Sequence, residues 1–201
     1  MTGRGRPAAA ASGRVGQRTG EVRAFVALDL HPDLRGRLAD LEAVLAPAFQ
    51  GLRWVRPEGV HLTLRFFGSA SPDQVSRLSA RMECAAAASS AFEETVAELG
   101  LFPDRRCPRV LWLGVSTRET LSRLQAACED AAVSAGFPSE PRPFRAHLTL
   151  GRWRDRVPRP VLPPVDLGPT RFEALTLFKS ELRPGGSVHS VLGRWRLGEK
   201  G

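Results

Sequence analysis

The tetrapeptide His-Leu-Thr-Leu occurs twice in this chain, at positions 61–64 and 147–150, 86 residues apart (147 − 61). Both copies, "VHLTLRFFG" and "AHLTLGRW", read as strands, in which successive side chains point to opposite faces. Strict alternation puts His61, Thr63 and Arg65 on one face, and Leu62, Leu64 and Phe66 on the other. In the second copy His147 and Thr149 share a face opposite Leu148 and Leu150. Each strand thus needs a core beneath its leucines and holds an imidazole and a hydroxyl on its free side. Four histidines and nine threonines in 201 residues predict only about 0.2 His-x-Thr pairs by chance (4 × 9/201), so two full copies point to function.

The segments around the copies also recur. "VRAFVALDL" reads as a strand, and "HPDLRGRLADLEAVLAPAF" as a helix with Pro32 in its first turn. "LRWV" is a short strand and "RPEG" a turn before the first copy. Ser71 and Pro72 are placed to start a second helix. "FEETVAELGLF" and "RVLWLGV" are strands, and "TRETLSRLQAACEDAAVSAG" is a third helix that Gly136 ends. After the second copy come a proline-rich link (157–169) and two closing strands, "RFEALTLFKSEL" and "SVHSVLGRWRL". "FEETVAELGLF" resembles "FEALTLFKSEL", and each motif is preceded by a strand and a helix. This order predicts an α+β, bilobal domain over residues 22–198, two similar halves each presenting one His-Leu-Thr-Leu strand. Residues 1–21 read as a disordered basic tail, with an arginine-rich transit peptide as the alternative.

The formal charge of +8 is unevenly spread: five arginines against Glu21 in residues 1–23 supply +4 of it (5 − 1). The globular part is mildly basic, which suits transient contact with nucleic acid rather than tight packaging. Of 29 cations, 27 are arginine, whose planar fork suits phosphate. No stretch is apolar enough to predict a membrane span. Cys84, Cys107 and Cys128 show no metal-ligand spacing and read as reduced thiols of a cytoplasmic protein.

A histidine pair facing one another across a cleft can divide acid and base work, because imidazole titrates near neutrality. One neutral ring deprotonates a nucleophile while a protonated one supplies the leaving oxygen. Threonine hydroxyls can donate to the non-bridging oxygens of a phosphodiester, where charge concentrates in the transition state. Metal binding is the competing use of histidine, but His-x-Thr supplies one good ligand per motif. No metal or other cofactor is expected.

With these residues in place, the sequence resembles the 2H phosphoesterases, and among them the RNA 2′,3′-cyclic phosphodiesterases formerly called 2′-5′ RNA ligases. The resemblance runs from about Arg23 to Leu197 through "RAFVALDL", "LRWVRPEGVHLTLRFFG", "PRVLWLGV", "FRAHLTLGR" and "LTLFKSEL". It implies two lobes with antiparallel sheets lining a central cleft, helices outside, and hydrolysis of RNA 2′,3′-cyclic phosphate ends, such as those of tRNA fragments, to 2′-phosphates. It further implies His61 as proton donor, His147 as proton acceptor, Thr63 and Thr149 on phosphate oxygens, and Arg152 as a charged contact. Ligation would be the reverse reaction. A monomer is expected. Two alternatives stand beside this reading: a non-catalytic RNA- or nucleotide-binding module, and the same chemistry on a small cyclic nucleotide.

Alternation puts Arg152 opposite His147, so its role requires the strand to break step at Gly151, where glycine makes a bulge easy. Of Phe66 and Phe67, one should be core and the other free to stack on a base; alternation selects Phe67 as the substrate-side residue. His31 reads as exposed at a helix start, His189 as cleft-lining or superficial, and Trp54, Trp112 and Trp195 as core.

Overall fold

The computed structural model describes residues 20–103, 107–183 and 186–198. The expected basic tail lies, up to residue 19, outside the described residues. The described chain runs β1 (Val22–Leu28), α1 (Pro32–Leu45), β2 (Leu52–Trp54), a 3-10 turn (Pro57–Gly59), β3 (Leu62–Ala70), α2 (Pro72–Ala87), β4 (Phe92–Phe102), β5 (Val110–Val115), α3 (Glu119–Ser134), β6 (His147–Trp153), β7 (Asp166–Phe172), β8 (Ala174–Arg183) and β9 (Gly186–Arg196). Ser71 caps α2 as expected, accepting from Gln74 N while the Gln74 side chain accepts from Ser71 N. Gly136, at φ 91°, follows α3 in the left-handed conformation that L side chains resist.

The strands form one antiparallel sheet in the order β7-β4-β5-β6-β3-β1-β8-β9, with β2 also paired to β6. Between β3 and β6 the only registered pair is Leu62 with Leu148. That single join divides the sheet into two halves of matching order, β3-β1-β8-β9 and β6-β5-β4-β7, each with its motif strand at the seam. The internal duplication read from the sequence is therefore real in three dimensions, although strands are exchanged: β4 follows β3 in the chain yet pairs with β5. The leucines of both motifs are buried (Leu62 and Leu148 fully) in a core shared with Leu78 and Met82 of α2 and Leu121, Leu124 and Cys128 of α3. The helices cover this face, and the histidine face stays open. Among the described residues no helix is long and apolar enough to cross a membrane.

Two features differ from expectation. The proline-rich link ends in a strand, β7, that includes Pro169 and pairs with β4. A proline within a strand argues against pairing only in a central position; β7 is an edge of the sheet and needs no donor on its outer side. Strict alternation also fails in both motif strands, at the same place. Ala27 pairs with Thr63 but Val26 with Arg65, leaving Leu64 unmatched. Trp112 pairs with Thr149 but Leu111 with Gly151, leaving Leu150 unmatched. Each bulge adds one residue and reverses the facing of the residues that follow it, in β3 as far as a second shift at Phe67.

The bulge sends Arg65 to the helix side rather than the face of His61 and Thr63. There its guanidinium lies 2.5 Å from Glu129 of α3, an ion contact without hydrogen-bond alignment, and donates to the Pro138 carbonyl at 2.6 Å and to Glu140 at 3.4 Å. Arg65 thus ties β3 to the segment that leads into β6.

Candidate active site

Because Leu62 and Leu148 are partners at the seam and face the core, the residues flanking them face the other way. His61 and Thr63 from one half and His147 and Thr149 from the other therefore meet on the open face, all four partly buried. The bulge in β6 adds Arg152 to this group, resolving the misfit that alternation poses. It also reverses the phenylalanines: Phe66, 59% exposed, is on the cleft face, whereas Phe67, 7% exposed, packs on Phe137 with ring centroids 5.4 Å apart. Phe67 as a substrate contact is thereby corrected, since its ring lies in the core and Phe66 is the phenylalanine on the cleft face.

The two imidazoles are held alike. Nδ1 of His61 lies 2.9 Å from the Gly59 carbonyl, and Nδ1 of His147 lies 2.7 Å from the Arg145 carbonyl, in each case two residues upstream. A carbonyl only accepts, so Nδ1 carries the proton in both neutral rings and Nε2 presents its lone pair. The turn that carries Gly59 is itself held by Arg35, whose Nη1 donates to the Pro57 carbonyl at 2.8 Å.

Aromatic rings back each histidine. Phe25 stacks on His61 at 4.8 Å between centroids, with Phe178 at 6.0 Å from it. Phe102 meets His147 edge-on at 5.0 Å between centroids, and Trp112 lies 6.0 Å from the same imidazole. Trp112, expected in the core, instead lies over Gly100 on the cleft side, where an added Cβ would come within 2.0 Å of the indole ring. His189 of β9 meets His61 edge-on at 5.2 Å, which settles its position at the cleft. The signal for these neighbours was present: Phe25 alternates with buried Val26, so one of the two had to face away from the helices.

These surroundings disfavour charge on the rings. Burial is the main cause that lowers the His61 pKa, to about 4, aided by nearby His189, Arg35 and His147 and opposed by the Gly59 carbonyl. Burial also lowers the His147 pKa, with smaller contributions from Arg152 and Arg145. That His147 charge is felt at His61 places the two within electrostatic reach. Arg152 is exposed as a residue, yet its guanidinium is desolvated enough to lower its own pKa. Among the described residues no three His, Cys, Asp or Glu side chains converge in a metal-binding cluster. Two shallow hollows lie away from the histidine pair, one between α1 and Trp54, Val55 and Leu150, the other beside Asp29 and Arg194. The first is almost wholly apolar, and neither holds a motif histidine or threonine.

The chain and its fold are similar to known proteins. A model of the "LigT like Phosphoesterase" family matches residues 28–112 and again 113–189, one match per motif. An RNA 2′,3′-cyclic phosphodiesterase of Methanothermobacter thermautotrophicus is 34% identical over 184 residues, 88% of this chain and all of that protein. Another, of Thermus thermophilus, is 31% identical over 90% of this chain and 93% of its own length. Among solved structures, TT0787 of Thermus thermophilus superposes with a TM-score of 0.78 at 29% identity, covering 89% of this chain and 100% of its own. E. coli LigT bound to 3′-AMP superposes with a TM-score of 0.76 at 27% identity, covering 89% and 99%. A doubled family match, each half centred on one His-Leu-Thr-Leu strand, together with this fold, shows that the chain belongs to the LigT-like, or 2H, phosphoesterases.

Proposed function

We propose that this chain hydrolyses RNA 2′,3′-cyclic phosphate ends to 2′-phosphomonoesters by a two-histidine mechanism. The observation that carries the reading is the pair of Nδ1-anchored imidazoles, each with its threonine, mirrored about the Leu62–Leu148 seam. His147 Nε2 takes a proton from water, whose oxygen bonds to phosphorus. The P–O3′ bond breaks, and His61 Nε2–H gives its proton to the departing 3′ oxygen. Thr63 and Thr149 hydroxyls donate to the non-bridging oxygens, and Arg152 offsets their charge. The names of the relatives support the substrate class.

Burial keeps His61 neutral in the free protein near pH 7. The bound phosphate anion raises both histidine pKa values and supplies the countercharge for one shared proton. The lower basicity of His61 in the free protein supports a second assignment, in which His147 carries the proton and His61 activates water. With an RNA 5′-hydroxyl attacking in place of water, the same groups in the same roles break the P–O3′ bond and leave a 2′-5′ linkage; the reverse of that step, with roles exchanged, cleaves the linkage back to the cyclic end. Both motifs come from one chain, so a monomer suffices, and three unpaired cysteines suit the cytoplasm.

The test is a product assay on an oligoribonucleotide ending in a 2′,3′-cyclic phosphate, read by phosphorus NMR. A 2′-phosphate product, formed equally in EDTA, is expected. A 3′-phosphate product, or binding without turnover, would overturn the reading.

A further inference from the structure

On the open face of the second half, β2 lies beside β6 and pairs Arg53 directly with Arg152. Directly opposed residues on antiparallel strands share a face, with Cβ atoms about 5 Å apart. The neighbours confirm the facing: Leu52 and Trp153 are buried in the core, while Arg53 and Arg152 are both exposed. Neither arginine has an acidic partner among the described residues, unlike Arg65 and Arg194 of the same sheet.

Like charges placed opposite one another on neighbouring strands repel. Two unpaired guanidiniums in that position make a site for an anion with several oxygens, since each fork can donate two parallel bonds. The position along the cleft identifies which anion. Beyond Arg152 the same cross-strand row continues as Val110 and Phe102, which are not anionic or polar. Arg152 follows Thr149 on the cleft face of β6, and Arg53 lies across from it on the edge of β6 that β3 also uses, beyond the first residue of β3. With the bulge at Leu150 discounted, the Arg53–Arg152 pair stands two strand steps, roughly 7 Å, along β6 from Thr149, which is the spacing of a neighbouring phosphate rather than of the one Thr149 holds.

We propose that Arg53 holds the phosphodiester immediately upstream of the cyclic end, side by side with Arg152, so that the site selects a chain over a lone nucleotide. This rests on the cyclic phosphodiesterase reading and adds to it a preference set by the 5′ side of the terminal nucleotide. A nucleoside 2′,3′-cyclic monophosphate, with a free 5′-hydroxyl, leaves Arg53 unfilled.

The experiment compares kcat/KM for adenosine 2′,3′-cyclic monophosphate with that for the ApA dinucleotide bearing a 2′,3′-cyclic end, in wild type and Arg53→Gln. In wild type the dinucleotide is favoured. In Arg53→Gln the dinucleotide-to-mononucleotide ratio falls about tenfold or more, through KM, consistent with loss of one charge-assisted contact. Arg53→Lys keeps part of the preference, and the salt dependence of dinucleotide binding weakens in Arg53→Gln by about 0.7 in the log–log slope. An unchanged ratio, whether both rates fall or neither does, overturns the proposal. Failure of wild type on both substrates overturns the hydrolase reading instead. In that case titration with the 2′-phosphorylated dinucleotide decides the subsite, and an equal Kd for wild type and Arg53→Gln rejects it.

Discussion

Phe66 and Arg152 are equivalent residues. Each stands five positions after its motif histidine, and each is turned onto the cleft face by a one-residue bulge that follows the threonine. Their cross-strand rows match as well: Phe66 is followed by Phe25, Phe178 and Val191, and Arg152 by Val110 and Phe102. The backbone of the cleft is thus two-fold, while its chemistry is not. One half offers an exposed aromatic face at the position where the other offers a guanidinium. A terminal nucleotide has the same asymmetry, with a flat base on one side of the ribose and charged phosphates on the other, which supports stacking of that base on Phe66.

Replacing the two adjacent phenylalanines separates binding from folding. Phe66→Ala removes an exposed ring and should raise KM for a cyclic-phosphate oligonucleotide roughly 5- to 150-fold, the span of about 1–3 kcal/mol of stacking, with Tm unchanged. Phe67→Ala empties a core position and should lower stability by about 3 kcal/mol or more. Thermal melts and initial rates on both variants check the contrast. The reverse pattern would mean that the β3 bulge is wrongly placed.

Acid and base can be told apart by the leaving atom. His61→Ala and His147→Ala are each expected to lose at least 10²-fold in kcat while melting like wild type. With sulfur in place of the bridging 3′ oxygen, the leaving thiolate no longer needs a proton. His61→Ala should then regain most of its lost rate relative to wild type, and His147→Ala should not. Selective rescue of His147→Ala would establish the exchanged assignment.

The pH profile follows from the lowered basicities. One proton shared by two histidines is the working state, and in the free protein it exists between the His61 pKa of about 4 and a His147 pKa below 6.5. The optimum of kcat/KM should therefore lie on the acid side of 6.5. A bound phosphate anion stabilises both imidazoliums, so both limbs of the kcat profile should stand at higher pH than those of kcat/KM. Coincident profiles measured over pH 4–9 would show that the substrate does not set the charge of the pair.

The motif residues His61, Thr63, His147 and Thr149 were legible because alternation places them one residue either side of a buried leucine. The α+β halves were legible because each motif follows a strand and a helix with clear apolar periodicity. The bulges were not, since Leu64 and Leu150 look like any other inward leucine and only the register against β1 and β5 shows that they are unmatched. Every facing error downstream, Arg65 for Phe66 and Phe67 for Phe66, has that one cause. Gly151 was a partial signal: a Cβ there would meet Leu52 Cγ at 2.6 Å, so the second bulge announces itself through a glycine. In the first copy Arg65 occupies the same position, and nothing local marks it. The pairing of Arg53 with Arg152 depends on β2 reaching β6 across nearly 100 residues of chain, beyond any periodicity.

Burying His61 also makes stability depend on pH in a definite direction. Unfolded, its imidazole takes a proton as pH falls through 6.5; folded, it does so only near 4. Between these values the unfolded chain binds more protons, so stability falls as pH is lowered, and the loss is complete below about 4. The displacement from 6.5 to about 4 corresponds to about 3 kcal/mol. Asparagine at this position keeps an N–H for the Gly59 carbonyl but does not titrate. Urea unfolding at pH 7, 5.5 and 4 should show wild type losing about 3 kcal/mol more than His61→Asn over that range, because the contributions of His147 and His189 are common to both. Equal losses would mean that His61 is solvated in the folded protein, and that its charge state in the reaction is not set by burial.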